Sequence, residues 1–339
     1  MLKAMRIMPA LVAFLLALIA SVGTLAQSTL EQQSKALARA SDAVVGVQVT
    51  AVEDARSAAT LGRERQGSGV VIGADGLVLT IGYLILEAEQ VQLFTDSGRS
   101  VPARVLAYDL ASGFGLVQAL APLLLAPVPF GDAAALRSEE PLMIASGGNQ
   151  GQLSAARLVS RRSFSGYWEY HIEGALFTSP PRRDHSGAGL FNAQGELVGI
   201  GSLVVSDANE KGAPRIPGNM FVPIDLLKPI LAELRTRGSA QSSTRAWVGL
   251  NCVEQAGAIQ VVRVSEDSPA DVAGLQVGDR ILRIDGTEVK QLEQLWKVLW
   301  SGAGAQREVV FDVQRDGQVQ TFKVFSVDRS MTLRRPQGV

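Results

Sequence analysis

Over most of the chain, apolar positions come in short runs separated by turn residues, not at helical spacing. Val44–Val49 is the first such run. Val70–Ile72 and Leu77–Thr80 flank Asp75-Gly76, and Val91–Thr95 and Val101–Val105 flank Asp96-Ser97-Gly98. Apolar runs on either side of such turns predict β-hairpins. Further strands are predicted at Pro141–Ala145, Ala156–Ser160, Gly187–Leu190 and Leu197–Val205, with a turn from Asn192 to Gly195. Helical patterning is limited to a polar stretch, Leu30–Ala40, and to Ile224–Leu234. Many short strands at roughly ten-residue spacing predict a sandwich or barrels, not a βαβ fold.

The pattern changes after Thr236–Arg245, a small-residue, polar segment that reads as a linker. A strand at Gly257–Val264 is followed by a short helix, opened by Ser268-Pro269 and closed by Gly274. Next come a strand at Arg280–Ile284, an amphipathic helix at Leu292–Leu299, and a hairpin of Val309–Gln314 and Gln320–Val327 around Asp316-Gly317. This is the pattern of one small α+β domain. At the other end, Lys3 and Arg6 precede the apolar run Ala10–Ala20, and Thr24-Leu25-Ala26 offers small residues for cleavage after Ala26. That is the layout of an export signal, and the run is shorter than the ~20 residues of a membrane span. An uncleaved anchor is the alternative. The predicted division is 1–26 signal, 27–235 first domain, 236–245 linker, 246–330 second domain and 331–339 tail.

Composition narrows the classes. The chain has 339 residues, 47 % of them hydrophobic and 19 % charged, which excludes disorder, a collagen-like chain and a small disulfide scaffold. A net charge of −1 gives no signal for nucleic acid. Cys252 is the sole cysteine, so no intramolecular disulfide can form. Inside an apolar run it is expected to be a small core residue.

Three segments, in order, resemble the HtrA/Deg family (DegP/DegS-like) of periplasmic serine proteases. Gly67-Ser68-Gly69-Val70-Val71-Ile72, with Gly76-Leu77-Val78-Leu79-Thr80, is similar to its opening. Asp184-His185-Ser186-Gly187-Ala188-Gly189-Leu190 is similar to its nucleophile segment, Gly-Asn-Ser-Gly-Gly-Ala-Leu. Trp247-Val248-Gly249-Leu250, Ser268-Pro269-Ala270 and Ala273 to Asp279 resemble a PDZ domain. The resemblance covers nearly all of the chain after the signal. It implies a mainly β fold: a trypsin-like double β-barrel followed by a small α+β PDZ domain. It also implies periplasmic localisation, membrane-anchored if the N-terminal segment stays uncleaved.

Serine proteolysis needs a hydroxyl nucleophile, an imidazole base, a carboxylate to orient it, and N–H donors for the oxyanion. The family's base lies in Thr-Asn-Asn-His-Val-Ile; here Thr80-Ile81-Gly82-Tyr83-Leu84-Ile85 puts Tyr83 at that position. The family's acid lies in Asp-x-x-x-Asp-x-Ala-Leu; here the position is Gly113. Ser186 keeps the nucleophile position, while Asp184 replaces a glycine of the oxyanion hole. Loss of a triad base costs on the order of 10⁶ in turnover. The only histidines are His171 and His185. His185 reads as a loop residue and His171 as packing at a strand start, and a metal constellation of His171, Asp184 and His185 has no recognised ligand spacing. Arg182 and Arg183 read as a solvated loop tip.

By the same resemblance, Trp247, Val248, Gly249 and Leu250 form a carboxylate-binding loop, Asn251 and Cys252 start the strand that receives a ligand, and Leu292, Leu295 and Leu299 wall the groove. Packing in the core is the alternative for these leucines. Trp296 and Trp300 either line the groove or pack against the first domain. The sequence therefore supports a non-catalytic HtrA-like exported protein that binds proteins or peptide C-termini. It would need no cofactor or metal, and the resemblance implies assembly as a homo-trimer or a mixed oligomer with an active relative. The alternatives are a serine endopeptidase built around Ser186 and a metal-binding pseudoprotease.

Overall fold

The computed structural model describes residues 30–148, 151–210, 212–302 and 304–334. The stretch read as an export signal, 1–26, lies outside them, and among the described residues no helix is long and apolar enough to cross a membrane. Residues 30–42 are helical. Twelve strands follow as two closed antiparallel barrels. The first contains β1 (Val44–Ala51), β2 (Glu64–Val71), β3 (Leu77–Ile81), β4 (Ala88–Phe94), β5 (Ser100–Tyr108) and β6 (Phe114–Ala119), in the order β1-β2-β3-β6-β5-β4. The second contains β7 (Pro141–Ala145), β8 (Leu153–Ser165), β9 (His171–Ser179), β10 (Gly189–Phe191), β11 (Leu197–Val205) and β12 (Gly218–Pro223), in the order β10-β11-β12-β9-β8-β7. The hairpins read from the Asp-Gly and Ser-Gly turns are β2–β3, with Val70 opposite Leu79, and β4–β5, with Val91 opposite Ala103.

Strands β6, β9 and β12 carry no clean alternation in the sequence. The reason is burial on both faces: all six residues of β12 and five of six in β6 are buried. A strand with no wet face reads as a continuous apolar run. Phe114, Phe177, Phe191 and Phe221 are fully buried here, each contributing about 1.5–3 kcal/mol from removal of apolar surface. The predicted helix Ile224–Leu234 is in fact split. A single 3₁₀ turn covers Ile224–Leu226 and an α-helix runs over Leu231–Arg237. Pro229 sits between them, and proline lacks the N–H that a continuous helix needs. The second segment enters the stretch read as linker and ends at Gly238, whose φ of 74° caps it.

The last domain is a sheet of β14 (Leu250–Gln255), β15 (Ala258–Val264), β16 (Arg280–Ile284), β18 (Glu308–Arg315) and β19 (Gln318–Phe325), with β17 (Thr287–Glu288) paired to β16. A short pair, β13 (Ala246–Trp247) with β20 (Val327–Asp328), closes its base. The helix over Leu292–Trp300 packs its apolar face on this sheet. Cys252 is buried in that core.

Candidate active site and peptide groove

Ser186 sits where the two barrels meet. Its carbonyl accepts a hydrogen bond from the Ser68 N–H of β2 at 2.8 Å, and Thr80 donates to the Ser68 carbonyl at 2.6 Å. Gly67 makes this approach possible, because a Cβ there would lie 2.7 Å from the Ser186 carbonyl oxygen. Tyr83 lies on the single helical turn Gly82–Ile85, directly after β3. Its hydroxyl is 2.7 Å from Ser186 Oγ and 2.9 Å from the Ser202 carbonyl oxygen. The structure thus brings the nucleophile and base positions together. Burial outweighs the bond to Ser186 and pushes the Tyr83 pKa up to about 12, so the residue holding Ser186 is a neutral phenol.

At Gly113, the residue that the resemblance aligns with the acid, Tyr170 takes up the neighbouring space. Gly113 has φ of 80°, and a Cβ there would lie 3.0 Å from the Tyr170 hydroxyl. Tyr170 donates to the Ser112 carbonyl at 3.0 Å and stacks on Trp168 with ring centroids 5.5 Å apart. Nearby Asp109 is buried but turns to its own loop, accepting from the Ser112 N–H at 2.8 Å.

Asp184 is held in a fork. Arg182 Nε donates to its Oδ1 at 2.9 Å, and Arg182 Nη2 and the Ser146 hydroxyl both donate to Oδ2. Partial burial raises the carboxyl's pKa, but these bonds more than offset it and leave it below its ordinary value. The Gly187 N–H donates to the Gly201 carbonyl at 2.9 Å. The loop thus carries a carboxylate where the resemblance places part of the oxyanion hole, and a negative charge there would oppose a developing oxyanion. The solvated reading of Arg182 is corrected by its side chain, which is only 9 % exposed and also donates to Ser154 Oγ at 2.8 Å.

The histidines stand apart from this chemistry. His185 Nδ1 is 2.9 Å from the Arg183 carbonyl oxygen, and burial lowers its pKa. His171 lies between Ser165 Oγ, 2.8 Å away, and Glu173 Oε1, 3.1 Å away. The constellation of His171, Asp184 and His185 does not form. Among the described residues, the one cluster with metal-ligand proximity is His171, Glu173 and Glu293. The Lys297 ammonium bridges both of its carboxylates at 2.6 Å, supplying the positive charge there.

The groove of the last domain is not open. Gly166–Tyr170 connects β8 to β9 and reaches across to β14. Trp168 makes an antiparallel bridge with Asn251, and the Cys252 N–H donates to the Tyr167 carbonyl at 2.6 Å. Glu169 is 4 % exposed. Its Oε1 accepts from the Val248 N–H at 3.3 Å, Gly249 N–H at 2.7 Å and Leu250 N–H at 3.0 Å. Residues 248–250 thus do bind a carboxylate, and it comes from the chain itself. Trp247 belongs to the short β13–β20 pair, and none of these three bonds comes from its N–H. Leu295 and Leu299 are fully buried and Leu292 nearly so, all three in the core of this domain. Trp296 packs against the first domain, its Nε1–H donating to the Gly166 carbonyl at 3.0 Å. Trp300 turns to its own domain and donates to the Ala246 carbonyl at 3.1 Å. Sequence reasoning missed Glu169. Its signal, a single glutamate between two aromatic residues in a turn, is indistinguishable from a surface charge until the two domains are docked.

Two β-barrels with a nucleophile position at their junction define a trypsin-like peptidase domain, and residues 67–200 match the model of that domain. Residues 246–325 match the PDZ domain model. The chain thus has a trypsin-like peptidase domain followed by a PDZ domain. It is 30 % identical over 275 residues to the probable periplasmic serine protease do/HhoA-like of Haemophilus influenzae, an alignment covering 76 % of this chain and 57 % of that protein. It is 26 % identical over 239 residues to the serine endoprotease DegS of the same organism, covering 69 % and 68 %. The HtrA-type protease AlgW with tripeptide aligns with a TM-score of 0.54 at 20 % identity, covering 90 % of this chain and 98 % of that one. The chain spans just over half the length of the do/HhoA-like and DegP-like relatives it matches, 57 % in two cases.

Proposed function

We propose that this chain is a non-catalytic HtrA-like protein of the periplasm that binds exported proteins or peptide C-termini through its PDZ domain. The observation that carries this reading is the Tyr83 hydroxyl 2.7 Å from Ser186 Oγ, at the position where the family has its base. A phenol with a pKa of about 12 is ionised in roughly one molecule in 10⁵ at neutral pH. The loss of the acid at Gly113 and the Asp184 carboxylate at the oxyanion position act in the same direction. The division into a protease-like domain over 27–235 and a PDZ domain over 246–330 is part of this proposal. So is assembly as a homo-trimer or with an active relative, which light scattering of the purified chain and of mixtures with such a relative would distinguish.

The second reading is a serine endopeptidase with an unconventional site around Ser186, favoured by the names of the relatives. One experiment separates the two. The chain from Gln27 to Val339 and its Ser186→Ala variant are assayed for casein cleavage and for labelling by a fluorophosphonate probe. Non-catalytic function predicts no cleavage and no Ser186-dependent labelling in either protein. Cleavage or labelling by the wild type that disappears in the alanine variant overturns it.

A further inference from the structure

We propose that residues Tyr167–Glu169 are an internal ligand of the PDZ groove, so that a peptide with a free C-terminal carboxylate binds this chain only by displacing them. This rests on the peptide-binding reading above and specifies how it is controlled.

The contacts follow the way a sheet edge captures an extended chain end. The loop segment runs antiparallel to β14, with Trp168 bridged to Asn251 and the Tyr167 carbonyl accepting from the Cys252 N–H. One residue further on, the Glu169 carboxylate occupies the three N–H donors of residues 248–250. Tyr167, Trp168 and Glu169 thus stand in register for the last three residues of a ligand, and the glutamate side chain substitutes for the terminal carboxylate. A buried carboxyl group whose oxygen accepts three N–H bonds is a specific contact, costly to break without replacement. A free C-terminus offers that replacement.

The segment is also tied to the rest of the first domain. The Gly166 N–H donates to the Tyr170 carbonyl at 2.9 Å, and Tyr170 fills the space at Gly113. Arg329 Nη1 donates to the Glu169 carbonyl at 3.1 Å. The groups facing Glu169 are Arg329, from the 3₁₀ turn after β20, and the buried Cys252 thiol of β14. Burial raises the Glu169 pKa to about 7, against the opposing pull of Arg329 and the three N–H donors. A free glutamate stays near its ordinary value, so between about pH 4.5 and 7 the docked state binds more protons than the released state. Docking is therefore favoured as the pH falls through that window and weakened as it rises.

The test uses a fluorescein-labelled octapeptide ending in Tyr-Trp-Val with a free carboxylate, and its C-terminally amidated twin. Anisotropy titrations compare the chain from Gln27 to Val339 with its Glu169→Ala and Glu169→Gln variants. An internal ligand lowers apparent affinity by the fraction of open grooves. At about pH 5.5, Glu169→Ala is expected to bind the free-carboxylate peptide about tenfold tighter than wild type, with no binding of the amidated twin. Raising the pH to about 8 should tighten wild-type binding. Glu169→Gln, which mimics the protonated latch, should bind weakly at both values. Equal affinities for wild type and Glu169→Ala overturn the internal ligand and leave the peptide-binding reading standing. If neither binds the peptide, the peptide-binding reading falls. Amide exchange then decides the contact: the N–H groups of Gly249 and Leu250 must exchange faster in Glu169→Ala, and unchanged exchange overturns it.

Discussion

Gly113 is buttressed by its surroundings, which makes a side chain there costly to introduce. At Gly113, φ of 80° and the Tyr170 hydroxyl 3.0 Å from a would-be Cβ both oppose a side chain. Gly113→Asp is expected to lose about 1–3 kcal/mol, read as a fall of several degrees in the melting temperature, and to gain no protease activity. Tyr83→His alone is expected to leave casein uncleaved, since no carboxylate side chain remains at residue 113 to orient an imidazole; cleavage above the Ser186→Ala background would refute this. The identity of Tyr83, Gly113, Asp184 and Ser186 was plain in the sequence. That Tyr83 reaches Ser186, and that Tyr170 crowds Gly113, depended on residues 103 and 57 positions apart being brought into contact.

Loops, more than strands, carry what distinguishes this chain. The segment around Asp184 is braced by Arg182, Ser146 and Ser154, contributed by β9–β10, β7–β8 and β8. Because the folded Asp184 carboxyl has a lowered pKa, its stabilising effect is present at neutral pH and is lost as pH falls through the folded value. Arg182→Ala should therefore lower the melting temperature at pH 7 and show a smaller difference at about pH 3, measured by thermal melts at both values. A constant difference would mean the ion pair contributes nothing beyond packing. Hairpins with Asp-Gly or Ser-Gly turns were legible because the turn chemistry is local. The two-sided strands β6, β9 and β12 were not, and neither was the break at Pro229 placed.

The two domains are joined by more than the segment at 236–245. Glu169, Gly166 and Tyr167 contact the PDZ domain directly, and Glu173 reaches Lys297 on its helix. Bonds to Lys297, Ser163 and His171 push the Glu173 pKa down to about 2, so this outer bridge persists through the range in which Glu169 titrates. Calorimetry of the wild type at about pH 6 should give one cooperative transition, and Glu169→Ala should separate it into two as docking weakens. A single unshifted transition in the variant would show that the remaining contacts dock the domains unaided.

Local chemistry in the chain was enough to specify β-hairpins, a second α+β domain, the family resemblance and which residues, Tyr83 and Gly113, stand where that resemblance puts the base and acid, because each depends on residue type and short spacing. The docked domains decided the rest. Whether residues 248–250 face solvent or a ligand, whether Arg182 is a surface charge or a buried brace, and what Glu169 does are long-range questions. A hydrogen bond across 80 residues leaves no periodicity behind it, and only packing brings Gly249 and Glu169 within reach.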